Sequence, residues 1–292
     1  MNVRALLVDR DGRAHAPWRL LLFLVLGFAC FIVVFKGPLE PALAMLERFV
    51  GIQGTAAAYG ATLALLLAHW MTLRTFDRRP AAHVGLQKDG SRPALLGYAF
   101  LLGGLPIAIA SLALVGGGLL DARAMPDGPW FATALQITLL LLPAAFYEEL
   151  LSRGYIFATL KEWLGPLWAV LLTSTAFGLL HYQNPGATAA SLAIVTLAGI
   201  YLAVVLLVTR SLYAAWIAHF AWNWVMAALL HVPVSGLPLD RPDYAIVDDG
   251  PDWLTGGTWG PEGGAAGAAG MLGALGYLYW RNKRRTHDTI ER

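Results

Sequence analysis

Long apolar stretches separated by short polar segments follow one another from residue 18 to residue 280. Each is near or above the roughly 18 residues that a helix needs to cross the hydrocarbon core of a bilayer. The pattern predicts an all-α, polytopic membrane protein, a bundle of about eight transmembrane helices. The predicted spans are 18–35, 54–73, 94–119, 130–151, 166–183, 187–209, 212–231 and 263–280.

Composition agrees with this prediction. Hydrophobic residues make up 57% of the chain and charged residues 14%, whereas soluble domains carry about 25% charged residues. The net charge of +2 gives no reason to expect a nucleic-acid partner. The lipid bilayer is the first predicted partner.

The charges of the loops predict the orientation of the chain. Lysine and arginine collect in every second loop, and the loops between them are acid-biased, as the positive-inside rule requires. Arg4, Arg10 and Arg13 precede the first span, so both termini are predicted to be cytoplasmic, with the protein in a bacterial inner membrane. We expect the first apolar stretch to be a retained span, with a cleaved signal peptide as the alternative.

Three regions are predicted along the chain. Residues 1–129 form an N-terminal region of about three spans, and residues 130–231 form a core of about four spans. Residues 232–292 hold an extracytoplasmic loop, the last helix and a basic cytoplasmic tail. Within the core, residues 152–165 are too polar for a span, so we predict an interfacial or half-inserted helix there.

Two adjacent carboxylates, Glu148 and Glu149, lie near the end of a predicted span. A charge at bilayer depth costs about 2.5–3.5 kcal/mol on insertion scales, so such residues face a protein interior and need partners. Glu149 and Arg153 are four residues apart and share a helix face, so they are predicted to pair. Glu148 has Ser152 one turn later instead of a cation, and stays available as a general acid or base.

Two intramembrane histidines complete the set of candidate residues. His181 follows Phe177 by four residues, and His219 precedes Asn223 by four, so each pair lies on one helix face. Either histidine alone could serve as a hydrogen-bond partner between helices. Polar groups on three different spans together favour hydrolytic chemistry inside the membrane.

These residues form three motifs in a fixed order. Glu148-Glu149 with Arg153 matches EExxxR, Phe177 with His181 matches FxxxH, and His219 with Asn223 matches HxxxN. The ordered set, over residues 130–231, resembles the CPBP intramembrane proteases, the CAAX protease and bacteriocin-processing or Abi family, related to type II CAAX prenyl endopeptidases.

The resemblance implies an endopeptidase and assigns a role to each motif. Glu148 would activate water with help from His181, and His219 and Asn223 would polarise the scissile carbonyl. Glu149, Arg153 and Phe177 would be supporting residues.

The resemblance also implies a metallopeptidase label. Glu148, His181 and His219 are a candidate zinc-ligand set, but a glutamate-activated water without bound metal explains the same residues. Zinc is therefore the one candidate cofactor, and both alternatives stay open.

The expected substrate is a membrane-associated peptide or protein, and a lipidated CAAX-like substrate is an analogy from the relatives. Two alternatives from other classes remain. One is a non-catalytic binding protein of the same family, as in bacteriocin self-immunity. The other is a proton-coupled transporter, a class in which internal sequence repeats are common. We find no such repeat in the sequence.

Overall fold

The computed structural model describes residues 14–125, 128–239 and 244–290, with side chains described as far as residue 284. Arg4, Arg10 and Arg13 lie outside these residues. Two π-helical turns, Thr72–Phe76 and Val225–Leu229, extend the helices Thr55–Met71 and Leu212–Trp224. The elements are α1 Ala16–Lys36, α2 Glu40–Val50, α3 Thr55–Met71, α4 Pro93–Gly116, β1 Leu120–Ala124, α5 Trp130–Arg153, α6 Tyr155–Leu164, α7 Pro166–Leu180, α8 Ala189–Thr209, α9 Leu212–Trp224, β2 Tyr244–Asp248, α10 Asp252–Thr255 and α11 Ala265–Ile290.

The described part of the chain confirms an all-α membrane protein. Five helical segments in it are long and apolar enough to cross a bilayer, whereas the predicted number of about eight spans is not confirmed. α7 is apolar but has only 15 residues. The predicted spans 212–231 and 263–280 are also helical over most of their length. The five segments are Ala16–Lys36, Thr55–Phe76, Pro93–Gly116, Trp130–Leu164 and Ala189–Thr209.

Two features of the loops were not predicted. The segment before α3 forms the short helix α2, and Glu47 of α2 accepts hydrogen bonds from the amides of Gly54 and Ala56, both at 3.0 Å. β1 and β2 pair antiparallel, with Leu120 opposite Asp248. Such pairing joins segments that are more than a hundred residues apart, so no local sequence pattern predicts it.

α9 lies at the centre of the bundle, in contact with α4, α5 and α8. Small residues permit this packing, since Ala214, Ala218 and Ala221 of α9 are fully buried. Gly103 of α4 lies against α9 so closely that a Cβ atom there would be 1.8 Å from the Ala218 carbonyl oxygen. The helix that carries the HxxxN motif is therefore held by backbone contact.

The short helix predicted within residues 152–165 is present as α6. The break that separates it from α5 falls at Gly154, where a Cβ atom would lie 2.2 Å from Nε2 of His69. That nitrogen accepts the Tyr155 amide at 3.0 Å, while Nδ1 lies 2.7 Å from the Leu65 carbonyl oxygen. His69 thus occupies the space that the missing side chain leaves, and satisfies the first amide of α6.

A group of three charged side chains and one tyrosine holds α6 against the N-terminal helices. We call Arg19, Asp77, Tyr155 and Glu162 the N-terminal charge cluster. Arg19 donates to Asp77 at 2.6 Å, to Glu162 at 3.1 Å and to the Tyr155 hydroxyl at 3.2 Å. The Tyr155 hydroxyl donates to Asp77 at 2.7 Å. Every member is paired, which is the condition under which buried charge is tolerated.

Candidate active site

The Glu149–Arg153 pair forms as the four-residue spacing predicts. Arg153 Nη1 lies 3.0 Å from Glu149 Oε1, and both side chains are fully buried. Arg153 Nη2 donates to the Gly199 carbonyl oxygen at 2.9 Å, and its guanidinium carbon lies 4.3 Å from the centre of the Phe177 ring. The arginine therefore joins α5 to α7 and α8, and the three helices are fixed at this point.

His219 contacts both adjacent carboxylates of α5. Its Nδ1 lies 2.9 Å from Glu149 Oε1 and its Nε2 lies 3.8 Å from Glu148 Oε2. Because an ionised carboxylate oxygen can only accept, Nδ1 donates to Glu149, and this orients the ring with Nε2 towards Glu148. The motif-based interpretation assigned Glu149 to Arg153 alone, so its contact with His219 is an addition.

Glu148 differs from Glu149 in exposure. Its side chain is 25% exposed, against 0% for Glu149. Glu148, His181, His219 and Asn223 all line one cavity of about 950 Å³. The structure therefore brings the four predicted catalytic residues to one space, and directs the paired carboxylate into the protein.

His181 lies at the end of α7, where it is the first residue after the helix. Its Nδ1 lies 2.8 Å from the Phe177 carbonyl oxygen, so Nδ1 donates, and in the neutral ring Nε2 carries the lone pair. The Phe177 ring packs 4.9 Å from His181 and 5.9 Å from His219, centre to centre. Phe177 thus packs against both imidazoles.

The cavity is longer than the sequence suggests. Depths estimated along the helices predict a cavity in the cytoplasmic half, reached by water from that side. The lining includes Ser152 near one end of α5, but also Gln53, Ser235 and Leu237 from loops that the charge pattern predicts to be extracytoplasmic. The reason is that the long loop after α9 folds back onto the bundle, which the linear pattern does not show.

A buried carboxylate that sequence reasoning missed lies in this loop. Glu262 is 6% exposed and lines the same cavity. It accepts from the Trp222 indole at 2.9 Å, and from the amide and hydroxyl of Ser235 at 2.6 and 2.7 Å. The loop composition of proline, glycine and aspartate gives no signal that distinguishes this carboxylate from its neighbours.

Glu148, His181 and His219 were also the candidate zinc ligands. Among the residues that the structure describes, no three His, Cys, Asp or Glu side chains are grouped to hold a metal ion. Nδ1 of His219 and Nδ1 of His181 are both committed to protein oxygens, which leaves each ring one nitrogen. Zinc on Glu148, His181 and His219 stays a prediction, and we derive no step through it.

The comparison with protein families gives one match. Residues 129–225 match the family described as type II CAAX prenyl endopeptidase, Rce1-like. The matched segment is about a third of the 292-residue chain and contains every residue of the three motifs. Neither the curated proteins nor the solved structures give a match.

Proposed function

Because residues 129–225 match the Rce1-like type II CAAX prenyl endopeptidases, we propose that the chain hydrolyses peptide bonds of membrane-associated peptides or proteins. The observation that carries the proposal is the pair of unequal carboxylates at one imidazole. Glu149 is buried and paired with Arg153, whereas Glu148 faces the cavity beside His219. Two adjacent carboxylates with different surroundings can take different chemical roles.

Glu148 is the proposed general base. Its carboxylate takes a proton from a water molecule in the cavity, and the resulting hydroxide attacks the scissile carbonyl carbon. The same proton then passes to the leaving amine nitrogen, so the products are a free carboxylate and a free amine. His181 assists in its neutral form by accepting a hydrogen bond from the water at Nε2, because Nδ1 carries the proton that bonds the Phe177 carbonyl oxygen.

The proposed stabilisation of the tetrahedral oxyanion comes from α9. Asn223 lies one turn beyond His219 and lines the same cavity, so its amide can donate to the developing negative charge. His219, when both ring nitrogens carry a proton, can donate from Nε2. Removing one such donor typically costs about 10²–10³ in kcat.

Glu149 and Arg153 have a supporting role in this scheme. Glu149 holds Nδ1 of His219, and Arg153 neutralises Glu149 without entering the cavity. A carboxylate that accepts from the second ring nitrogen fixes the orientation of a functional imidazole, as it does for catalytic histidines in other enzymes.

The substrate is proposed at the level of class. A cavity inside a membrane bundle favours a segment that is already anchored at the bilayer, and lipidated CAAX-like peptides are one candidate within that class. Substrates with and without a lipid belong in the same test.

The experiment is proteolysis in reconstituted liposomes. Wild type and Glu148→Gln each receive fluorogenic membrane-anchored peptides, lipidated and not, with and without a chelator. We expect wild type to cleave and Glu148→Gln to lose about 10²–10⁴ of the rate, the usual contribution of a general base. Glu40→Gln is the matched control, because Glu40 is exposed and lies outside the cavity.

The outcomes are distinct. Loss of cleavage in the chelator arm would support the zinc set, and unchanged cleavage would support the glutamate–water mechanism. If wild type and Glu148→Gln are both folded and cleave equally, Glu148 is not the base. If neither cleaves any peptide, a binding or immunity protein becomes the leading interpretation.

A further inference from the structure

Glu262 connects the loop after α9 to the helix that carries the HxxxN motif. One carboxylate oxygen accepts from the Trp222 indole of α9, and the other accepts two hydrogen bonds from Ser235. With Glu262 and Trp222 both 6% exposed, these bonds are sheltered from water. Charge-assisted hydrogen bonds of this kind are about twice as strong as neutral ones.

Ser235 belongs to a tight turn, residues 234–237, which lines the cavity. Val234 and Leu237 exchange backbone hydrogen bonds of 3.0 and 2.9 Å, and the two residues between them, Ser235 and Gly236, have φ values of 49° and 78°. Left-handed conformations at both central positions define a rigid two-residue turn. A Cβ atom at Gly236 would lie 2.1 Å from the Pro185 carbonyl oxygen, so the turn is wedged against the segment after His181.

Direct hydrogen bonds hold the turn in this place. Asn184 lies three residues after His181, and its Nδ2 donates to the Ser235 carbonyl oxygen at 2.9 Å. On the other side, the Gly236 amide donates to the Trp259 carbonyl oxygen at 3.0 Å. The 234–237 turn is therefore held between the His181 segment and the segment that contains Glu262.

On α9, Trp222 shares a face with His219. It follows His219 by three residues, a spacing that places the two on one helix face, and His219, Trp222 and Asn223 all line the cavity. The next indole along the helix, that of Trp224, donates instead to Thr138 Oγ1 at 2.8 Å and does not line the cavity. The indole of Trp222 therefore couples α9 to Glu262.

We propose that Glu262 is a positioning residue of the protease, which fixes the catalytic face of α9 against the His181 segment through Trp222 and the 234–237 turn. The inference rests on the proposed function and extends it beyond the family-matched segment, because Glu262 and Ser235 lie after residue 225. Glu262 acts through its two partners, Trp222 and Ser235.

The test combines two substitutions. The carboxylate accepts hydrogen bonds on both oxygens, whereas the glutamine in Glu262→Gln has one oxygen and one NH₂ group. The NH₂ group then faces a donor, so the bond to Trp222 or to Ser235 is lost. Trp222→Phe removes the indole N–H and keeps an aromatic ring. We expect each to lower kcat about tenfold or more, with KM changed less than threefold, because catalytic groups move while the rest of the cavity remains. The double variant should be no worse than the poorer single variant, as coupled residues require.

Trp224→Phe is the matched control, since it removes an equivalent indole hydrogen bond from the same helix away from the cavity. A second measurement does not depend on activity. In protein labelled with 5-fluorotryptophan, the ¹⁹F resonance that Trp222→Phe removes should shift in Glu262→Gln, and the resonance that Trp224→Phe removes should not.

Each outcome decides between the two proposals. If wild type cleaves peptide and Glu262→Gln cleaves it with the same kcat, the positioning role is refuted while the proposed function stands. An unshifted Trp222 resonance refutes the coupling directly. If wild type cleaves nothing, the proposed function fails and the positioning role with it, even where the resonance shifts. Equal loss of kcat in Trp224→Phe would show a general effect on folding and overturn the inference.

Discussion

Replacing Arg153 by methionine tests whether its ion pair with Glu149 stabilises the candidate active site. Methionine has a similar length and no charge, so the substitution removes the guanidinium and leaves most of the volume filled. Glu149 then keeps His219 as its partner at 2.9 Å, but loses the cation at 3.0 Å. A buried carboxylate that has lost its cation is among the costliest single defects in a protein interior.

The magnitude follows from the contacts. Removing one partner of a buried pair costs about 3–5 kcal/mol, and the lost contact with the Phe177 ring costs about 0.5–2 kcal/mol. Because such contributions are not additive, we expect a total of about 4 kcal/mol. At about 2–4 °C per kcal/mol, the unfolding temperature should fall by about 8–16 °C.

Cys30 provides the assay. It is the only cysteine in the sequence and is 8% exposed, so a thiol-reactive fluorogenic dye reports the opening of the bundle around α1. Arg92→Met is the control, because its ion pair with Asp89 is 2.7 Å long but 69% and 77% exposed. Exposed pairs contribute about 0–1 kcal/mol, so this variant should unfold close to wild type.

A second variant separates charge from packing. Glu149→Gln combined with Arg153→Met removes both charges, so the double variant should recover at least about half of the lost stability. If Arg153→Met unfolds within 2 °C of Arg92→Met, or if the double variant is less stable than the single one, the assignment of Glu149 as a charge that depends on Arg153 is wrong.

Two further predictions concern packing and the α5–α6 break. Gly103→Ala should lower the unfolding temperature by several degrees and reduce cleavage, because its Cβ atom would lie 1.8 Å from the Ala218 carbonyl oxygen. The control is Gly97→Ala on the same helix, which should be neutral because a Cβ atom there has nothing within 4 Å. Equal unfolding temperatures of the two variants would contradict the close contact at Gly103. His69→Leu should cost about 1–3 kcal/mol of stability in the dye assay, because the buried Tyr155 amide loses its acceptor; an unchanged unfolding temperature would show that this amide finds another partner.

The sequence predicts those features that depend on local spacing. Apolar stretches of sufficient length predict the helices, and the four-residue spacing of Glu149 and Arg153 predicts their ion pair. The tendency of Gly165 and Pro166 to end one helix and begin another predicts the junction of α6 and α7. Each of these follows from interactions within a few residues along the chain.

Features that depend on the assembled bundle could not be predicted in this way. The bond between His219 and Glu149 joins residues 70 apart, and the bond between Trp222 and Glu262 joins residues 40 apart. The periodicity of one helix does not predict which carboxylate a distant imidazole or indole contacts. The cavity is likewise longer than the helix depths suggest, because a loop without apolar periodicity forms part of its wall.

The N-terminal charge cluster has a consequence for synthesis at the ribosome. Glu162 follows Arg19 by 143 residues and Asp77 follows it by 58. At about 5–20 residues per second, Arg19 waits about 7–29 s for Glu162 to be made. Asp77 is the partner available in the meantime, so α1 and α3 can assemble first and offer α6 a prepared docking site. The newly made segment that contains the catalytic motifs therefore takes its position from helices that were translated before it.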